Sequence, residues 1–374
     1  MLSFGWIWNS TREELEEDYI YDTDYESSYQ EIYEILNLDN TEKLLRQENI
    51  NLNLKGLIED IVSGEGGYVG EQLMSILKEQ LIGEIVFNRE LMLQIVIVVL
   101  LGSIFVNLAN SFGTGFVSEN GFYITYLIIT SMLLLSFVGT MDMVSASIEK
   151  ILTTIKIIVP LYALAMNFVG QSVASVGMYE VVMVGIWLVQ VVILKFIIPM
   201  IKFYVIISLV NNLNQEDSFS KLSALVMNLV NWVLKTVVYF IVGLNLIKGL
   251  VEPQIDALGR NTVNRVATLL PGGGMVNALT GTFLGAGVVV KNSIGVAGIV
   301  ILLIVVLAPI IKLLVIMLTV RITSAMIQPI GERRYVEGVE ALARGNQLLL
   351  QTIFSSVVLF MLTIAIVAYS AKGV

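Results

Sequence analysis

Beyond residue 90 the chain alternates long uncharged apolar runs with short polar breaks. About 20 apolar residues cross the hydrocarbon of a bilayer as one helix. Runs of that size cover residues 91–111, 121–141, 157–177, 181–210, 222–247, 266–290, 293–320 and 345–371. The rhythm predicts an all-α polytopic membrane protein of about eight transmembrane helices. The sixth run is rich in glycine and reads either as a full span or as a re-entrant pair. Upstream, Leu54, Leu57, Ile58, Ile61 and Val62 follow helical spacing on one face. A break over 64–70 and a second amphipathic run with Leu73, Ile76, Leu77, Leu81 and Ile82 complete a small helical cap. Residues 11–50 are rich in Glu, Asp, Tyr and Asn and read as loosely helical or partly disordered.

A second regularity lies over the first. Pro199-Met200-Ile201-Lys202 returns as Pro309-Ile310-Ile311-Lys312, and Pro160 returns as Pro271, at offsets of 110 and 111. One unit of about 110 residues is therefore read twice. The resulting division is an acidic region over 1–90, two leading helices over 91–141, a first unit over 142–250 and a second over 251–374. Three spans per unit make the second copy enter from the opposite side, which predicts an inverted-topology repeat.

Composition agrees with a membrane solvent: 56% of residues are hydrophobic and 14% charged, against about 25% charged in soluble domains. Mean hydropathy is +0.81. Cysteine and histidine are both absent, so imidazole acid–base chemistry, thiolate chemistry and the usual zinc sites are excluded. Residues 1–90 carry 20 acidic and 6 basic side chains, while the remainder carries 11 and 16. An arm this acidic repels nucleic acid and points to a basic protein partner. Loops 248–265 and 321–346 hold seven basic residues against five in the opposite loops and tail. That bias puts the first set in the cytoplasm and the acidic arm outside it. The first nine residues lack a cationic start, so no secretory signal is read there.

Ionisable groups inside spans are costly and are functional candidates by default. Lys195, Lys202, Lys235 and Lys312 qualify. Each either snorkels to an interface, keeping its ammonium wet, or lines an anion-tolerant path. Lys235 has no acidic neighbour one turn away, so any carboxylate partner must come from another helix. Pro160, Pro199, Pro271 and Pro309 each remove a backbone donor within a span, which either bends a helix or exposes carbonyls to a path. Gly272, Gly273 and Gly274 after Pro271 predict a break, since each glycine costs roughly 1 kcal/mol against alanine in a helix. No Lys-Ser/Thr follows them, so they are not a phosphate loop. Gln328 and Pro329 end the seventh run at an aqueous boundary marked by Glu332, Arg333 and Arg334. No paired carboxylates, nucleophile–base set or metal cluster is read, so neither an enzyme nor a cofactor is predicted.

Three of these segments carry a resemblance. Pro-Ile-Ile-Lys at 309–312, Gln-Pro-Ile-Gly at 328–331 and Leu-Pro-Gly-Gly at 270–273 resemble the stage III sporulation protein AE family, from about residue 50 onward. The resemblance implies a membrane subunit of a channel or secretion-like complex joining mother cell and forespore. It would act in the mother-cell membrane around the forespore and support late forespore development. Its partners would be the other proteins of that complex and the lipid bilayer, with a second copy of the chain left open. The family assigns no catalytic residues, so none carry over. The competing reading, from the repeats and broken helices alone, is a stand-alone secondary transporter.

Overall fold

The computed structural model describes residues 38–47, 53–63, 67–113, 115–168, 184–213, 218–240, 242–243 and 273–370. Every regular element among them is helical. In chain order they are α1 (Leu38–Gln47), α2 (Leu54–Ser63), α3 (Gly67–Ser111) and α4 (Gly115–Phe168). They continue with α5 (Val184–Asn211), α6 (Ser220–Phe240), α7 (Gly273–Ile327) and α8 (Arg333–Ser370). The acidic arm before residue 38, Pro271, Gly272 and the loop 248–265 lie outside the described residues.

Among the described residues, five helices are long and apolar enough to cross a membrane: Leu81–Ser111, Gly115–Leu161, Val184–Asn211, Ser220–Phe240 and Ser293–Ile327. The apolar runs predict about eight; two fusions reduce that to six, and the run 345–371 extends beyond the described residues. Runs 121–141 and 157–177 share α4 as far as Phe168, and runs 266–290 and 293–320 share α7 from Gly273 onward. A helix that does not break between two runs cannot turn back, so each pair forms one rod. The expected boundaries at 90 and 141 likewise fall inside α3 and α4.

The continuity of α4 follows from its buried stripe. Phe122, Tyr126 and Ile129 recur eleven residues on as Leu133, Phe137 and Thr140, then as Val144, Ile148 and Ile151, all buried. Eleven residues in three turns is 3.67 per turn, close to the helix's own 3.6. One face therefore stays against the core along a rod of about 80 Å. Asp142 and Glu149 fall off the stripe and are exposed, so they do not interrupt it.

Among the described residues, three pairs of consecutive helices make the bundle: α3–α4, α5–α6 and α7–α8. Short connections hold them, and Gly113 turns the first with φ of 70°, a backbone conformation open to glycine at little cost. In the second, the Asn211 Oδ1 accepts the Phe219 N–H at 2.7 Å. In the third, the Gly331 N–H donates to the Ile327 carbonyl at 2.7 Å. The amphipathic face predicted for α2 is buried, with Leu54, Leu57 and Ile58 at most 2% exposed, and α2 packs on α7. The Glu42 carboxylate of α1 accepts the Leu54 N–H at the start of α2, the geometry of an N-terminal cap.

Directions follow from contacts. The Tyr126 hydroxyl donates to the Leu209 carbonyl of α5 at 2.7 Å and lies against Gly338 of α8. Val205 of α5 presses on Gly345 of α8. As α5 descends from 209 to 205, α8 advances from 338 to 345, so the two are antiparallel. Since α7 is antiparallel to α8 through its own turn, α5 and α7 run the same way. The inverted relation predicted between the two Pro-x-x-Lys helices is not seen. Fusing two expected spans into α4, and two into α7, changes the count of crossings and hence the direction of each copy.

Helices α3 and α7 run side by side in parallel. Lys312 Nζ sits 3.1 Å from Glu84 Oε1, and Gly331 packs on Val99. With Glu84 level with Lys312, the spans Leu81–Ser111 and Ser293–Ile327 are staggered along the axis and overlap in part.

Candidate functional site at the hairpin turns

The turn of α7–α8 comes to rest against the α3–α4 hairpin below its tip, and the polar residues of both meet there. Arg334, 13% exposed at its side chain, is the hub. Its Nη1 lies 3.1 Å from Glu119 Oε1 across the hairpins, and its Nη2 lies 2.6 Å from Glu332 Oε1. The guanidinium carbon stands 3.4 Å from the centroid of the Phe122 ring, within the range of a cation–π contact. Burial opposes the charge of Arg334, but the hydrogen bonds to Glu119 and Glu332 outweigh it and raise its pKa above the ordinary value. A cation already matched by two carboxylates fastens the two hairpins together. It is poorly suited to attract a further anion.

Below this hub the aromatic rings form a ladder. Phe122 lies 4.9 Å from Tyr335 and 5.6 Å from Tyr126, centroid to centroid. Desolvation pushes the Tyr335 phenol up to about 12, with Thr125 pulling weakly the other way. Above the hub a cleft of about 520 Å³ opens, lined by Ser103, Asn107, Asn110, Ser118, Glu119 and Glu332 among others. Its lining offers hydrogen-bond donors and acceptors. No group of three or more metal-ligating side chains occurs among the described residues.

The residues singled out in the sequence are dispersed. Lys312 is half-buried and paired with Glu84, whose side chain is 12% exposed. Lys202 and Lys195 are exposed on α5, so the matched lysines occupy unlike surroundings. Lys235 is exposed on α6 and lines a second cleft, about 250 Å³, with Gln351 and Ser355 of α8. Pro160 and Pro309 lie inside α4 and α7, with Pro309 buried. Pro199 is exposed at the start of the second α-helical part of α5, just after a π turn over Ile193–Ile197. A proline cannot bond the carbonyl four residues back, here that of Lys195, and the wider turn lies where that bond is missing. Gly273 and Gly274 open α7 as helix, so the predicted break does not fall at these two. Gln328 and Pro329 are exposed in the turn.

Sequence reasoning missed Glu84, Glu119 and the Phe122–Tyr126–Tyr335 ladder. It also missed Asn346, fully buried on α8 with neither amide atom hydrogen-bonded.

Long apolar helices paired into hairpins, with charged side chains joined near their turns, define a polytopic helical membrane protein. Residues 52–371 match the stage III sporulation protein AE family, and the chain belongs to it. It is similar to stage III sporulation protein AE of Bacillus subtilis (strain 168), with 20% identity over 279 residues, 74% of this chain and 70% of that protein. No solved structure matches.

Proposed function

We propose that this protein is a membrane subunit of the channel or secretion-like complex joining mother cell and forespore. In this reading it sits in the mother-cell membrane around the forespore, with its acidic N-terminal region outside the cytoplasm, and supports late forespore development. The observation that carries the reading is family membership over 320 of 374 residues. The Lys312–Glu84 and Arg334–Glu119 pairs, each joining two hairpins, support a scaffold or conduit subunit over a self-contained pump. Exposed Lys202 and Lys235 would then face partner subunits or the path, and the helix-bending Pro160, Pro199 and Pro309 would shape it. Deleting the gene in its endospore-forming host should arrest the engulfed forespore and lower late forespore gene expression. Normal forespores would overturn the proposal.

The stand-alone transporter reading retains one observation in its favour, the Lys312–Glu84 pair at membrane depth. Substrate uptake into liposomes by the purified protein alone would replace the subunit reading with that one.

A further inference from the structure

The outer faces of α4 and α5 carry charges of opposite sign at matching depths. On α4, Asp142 and Glu149 are exposed and seven residues apart, opposite the buried stripe; on α5, Lys195 and Lys202 are exposed and seven apart. All four fall within helices long and apolar enough to cross a membrane, and none has an ion-pair partner among the described residues. Phe137 and Val205 both press on Gly345 and so mark one level. Measured down from it at 1.5 Å per residue, Asp142 and Glu149 lie at about 7.5 and 18 Å, and Lys202 and Lys195 at about 4.5 and 15 Å. Both pairs are offset by the same 3 Å. Because α4 descends while α5 ascends, the order that pairs Asp142 with Lys202 also pairs Glu149 with Lys195.

Side-chain size follows the same register. Gly139 and Ala146 precede the two carboxylates by three residues, and a Cβ at Gly139 would meet open space. Phe203 and Phe196 follow the two lysines by one residue and are 52% and 47% exposed. Small residues on one helix face and large ones on another, at equal spacing, allow close helix approach in lipid. A charge left facing lipid is costly, so each face calls for the other.

We propose that the α4 face of one copy docks on the α5 face of a second copy of this chain, pairing Asp142 with Lys202 and Glu149 with Lys195. Such a contact is head-to-tail. Repeated at equal depth, such contacts build a ring where the rotation between copies closes. The inference concerns the chain alone and holds whatever the complex conducts.

The absence of cysteine permits a clean test. Two full-length copies with different tags are expressed together, one carrying Asp142→Cys and the other Lys202→Cys, and oxidised in native membranes. Each variant is first shown to accumulate in the membrane as the parent chain does. A mixed-tag dimer should form at least tenfold more strongly than with Lys195→Cys in place of Lys202→Cys. As a second measurement, Asp142→Lys in both tagged copies should abolish co-purification of the two tags, and adding Lys202→Asp to both should restore it. No mixed-tag dimer, equal cross-linking to both lysine positions, or failure of the reversed charges to restore co-purification would overturn the proposal.

Discussion

The α3–α4 and α7–α8 hairpins share a topology and differ in what holds them. At the first turn the chain reverses through Gly113 and leaves Phe112 and Phe116 76% and 83% exposed. At the second, Gly331 is pressed on Val99, Arg334 is bound on two sides, and Tyr335 is fully buried. The first hairpin is held by backbone geometry at its turn and, below it, by its own two helices. Gly102 lies against Thr125, Gly121 against Phe105, and the Ser118 hydroxyl donates to the Val106 carbonyl. The second is held by specific side chains of its neighbour. An apolar exterior marks a surface made for lipid or for another subunit, whereas polar locks mark the joint that aligns one hairpin on the other.

The largest break in this arrangement comes from the suture between α3 and α7. Lys312→Leu leaves the Glu84 carboxylate largely buried without its partner. Unpairing a fully buried ion costs about 3–5 kcal/mol. With Lys312 itself about a third exposed, the expected loss is about 2–3 kcal/mol, read as a lower unfolding midpoint in detergent. Adding Glu84→Leu should recover most of it, and an unchanged midpoint in the single variant would show that the pair does not join the hairpins.

Next comes the close approach at the second turn. A Cβ on Gly331 would stand 2.9 Å from Val99 Cγ1 and 3.0 Å from the Ile327 carbonyl oxygen. Gly331→Val should cost about 1–3 kcal/mol by overpacking. Gly115→Ala at the first turn meets open space and should leave stability within about 0.5 kcal/mol. Equal effects at the two turns would erase the contrast between them.

Arg334→Ala removes two ion pairs and the contact with Phe122 at a partly exposed site, for an expected loss of about 1–2 kcal/mol. Arg334→Lys should recover less than half, because an ammonium cannot present the planar fork that reaches Glu119 and Glu332 together. Full recovery by lysine would reduce the hub to simple charge neutralisation.

The smallest effect is a dependence on alkaline pH. Tyr335 ionises near 10 when unfolded and at about 12 in the fold. Its contribution is intact below pH 10 and declines as the pH rises from 10 to 12, because the unfolded chain loses the proton first. Unfolding midpoints measured across that interval should fall less steeply in Tyr335→Phe than in the parent chain.

Much of this was legible before any coordinates. Hydropathy alone identifies a helical membrane protein, because lipid leaves the backbone of a spanning segment few alternatives to the helix. The turn at 328–331 is legible from its proline and glycine, and the buried face of α2 from its spacing. What was not legible depends on which side of a helix a residue occupies. Asp142, Glu149 and Lys156 read as a break between spans, yet they sit off the eleven-residue stripe of α4 and leave the rod intact. Glu84 and Lys312 are 228 positions apart in the chain, and Arg334 and Glu119 are 215 apart. No local pattern announces either pair, since packing alone brings them together.

The stagger of α3 against α7 has a consequence for the envelope around the protein. One flat oily layer about 30 Å deep can bathe the zone the two spans share, but it is too shallow to cover both along their whole length, which leaves apolar flank at either end for other material to coat.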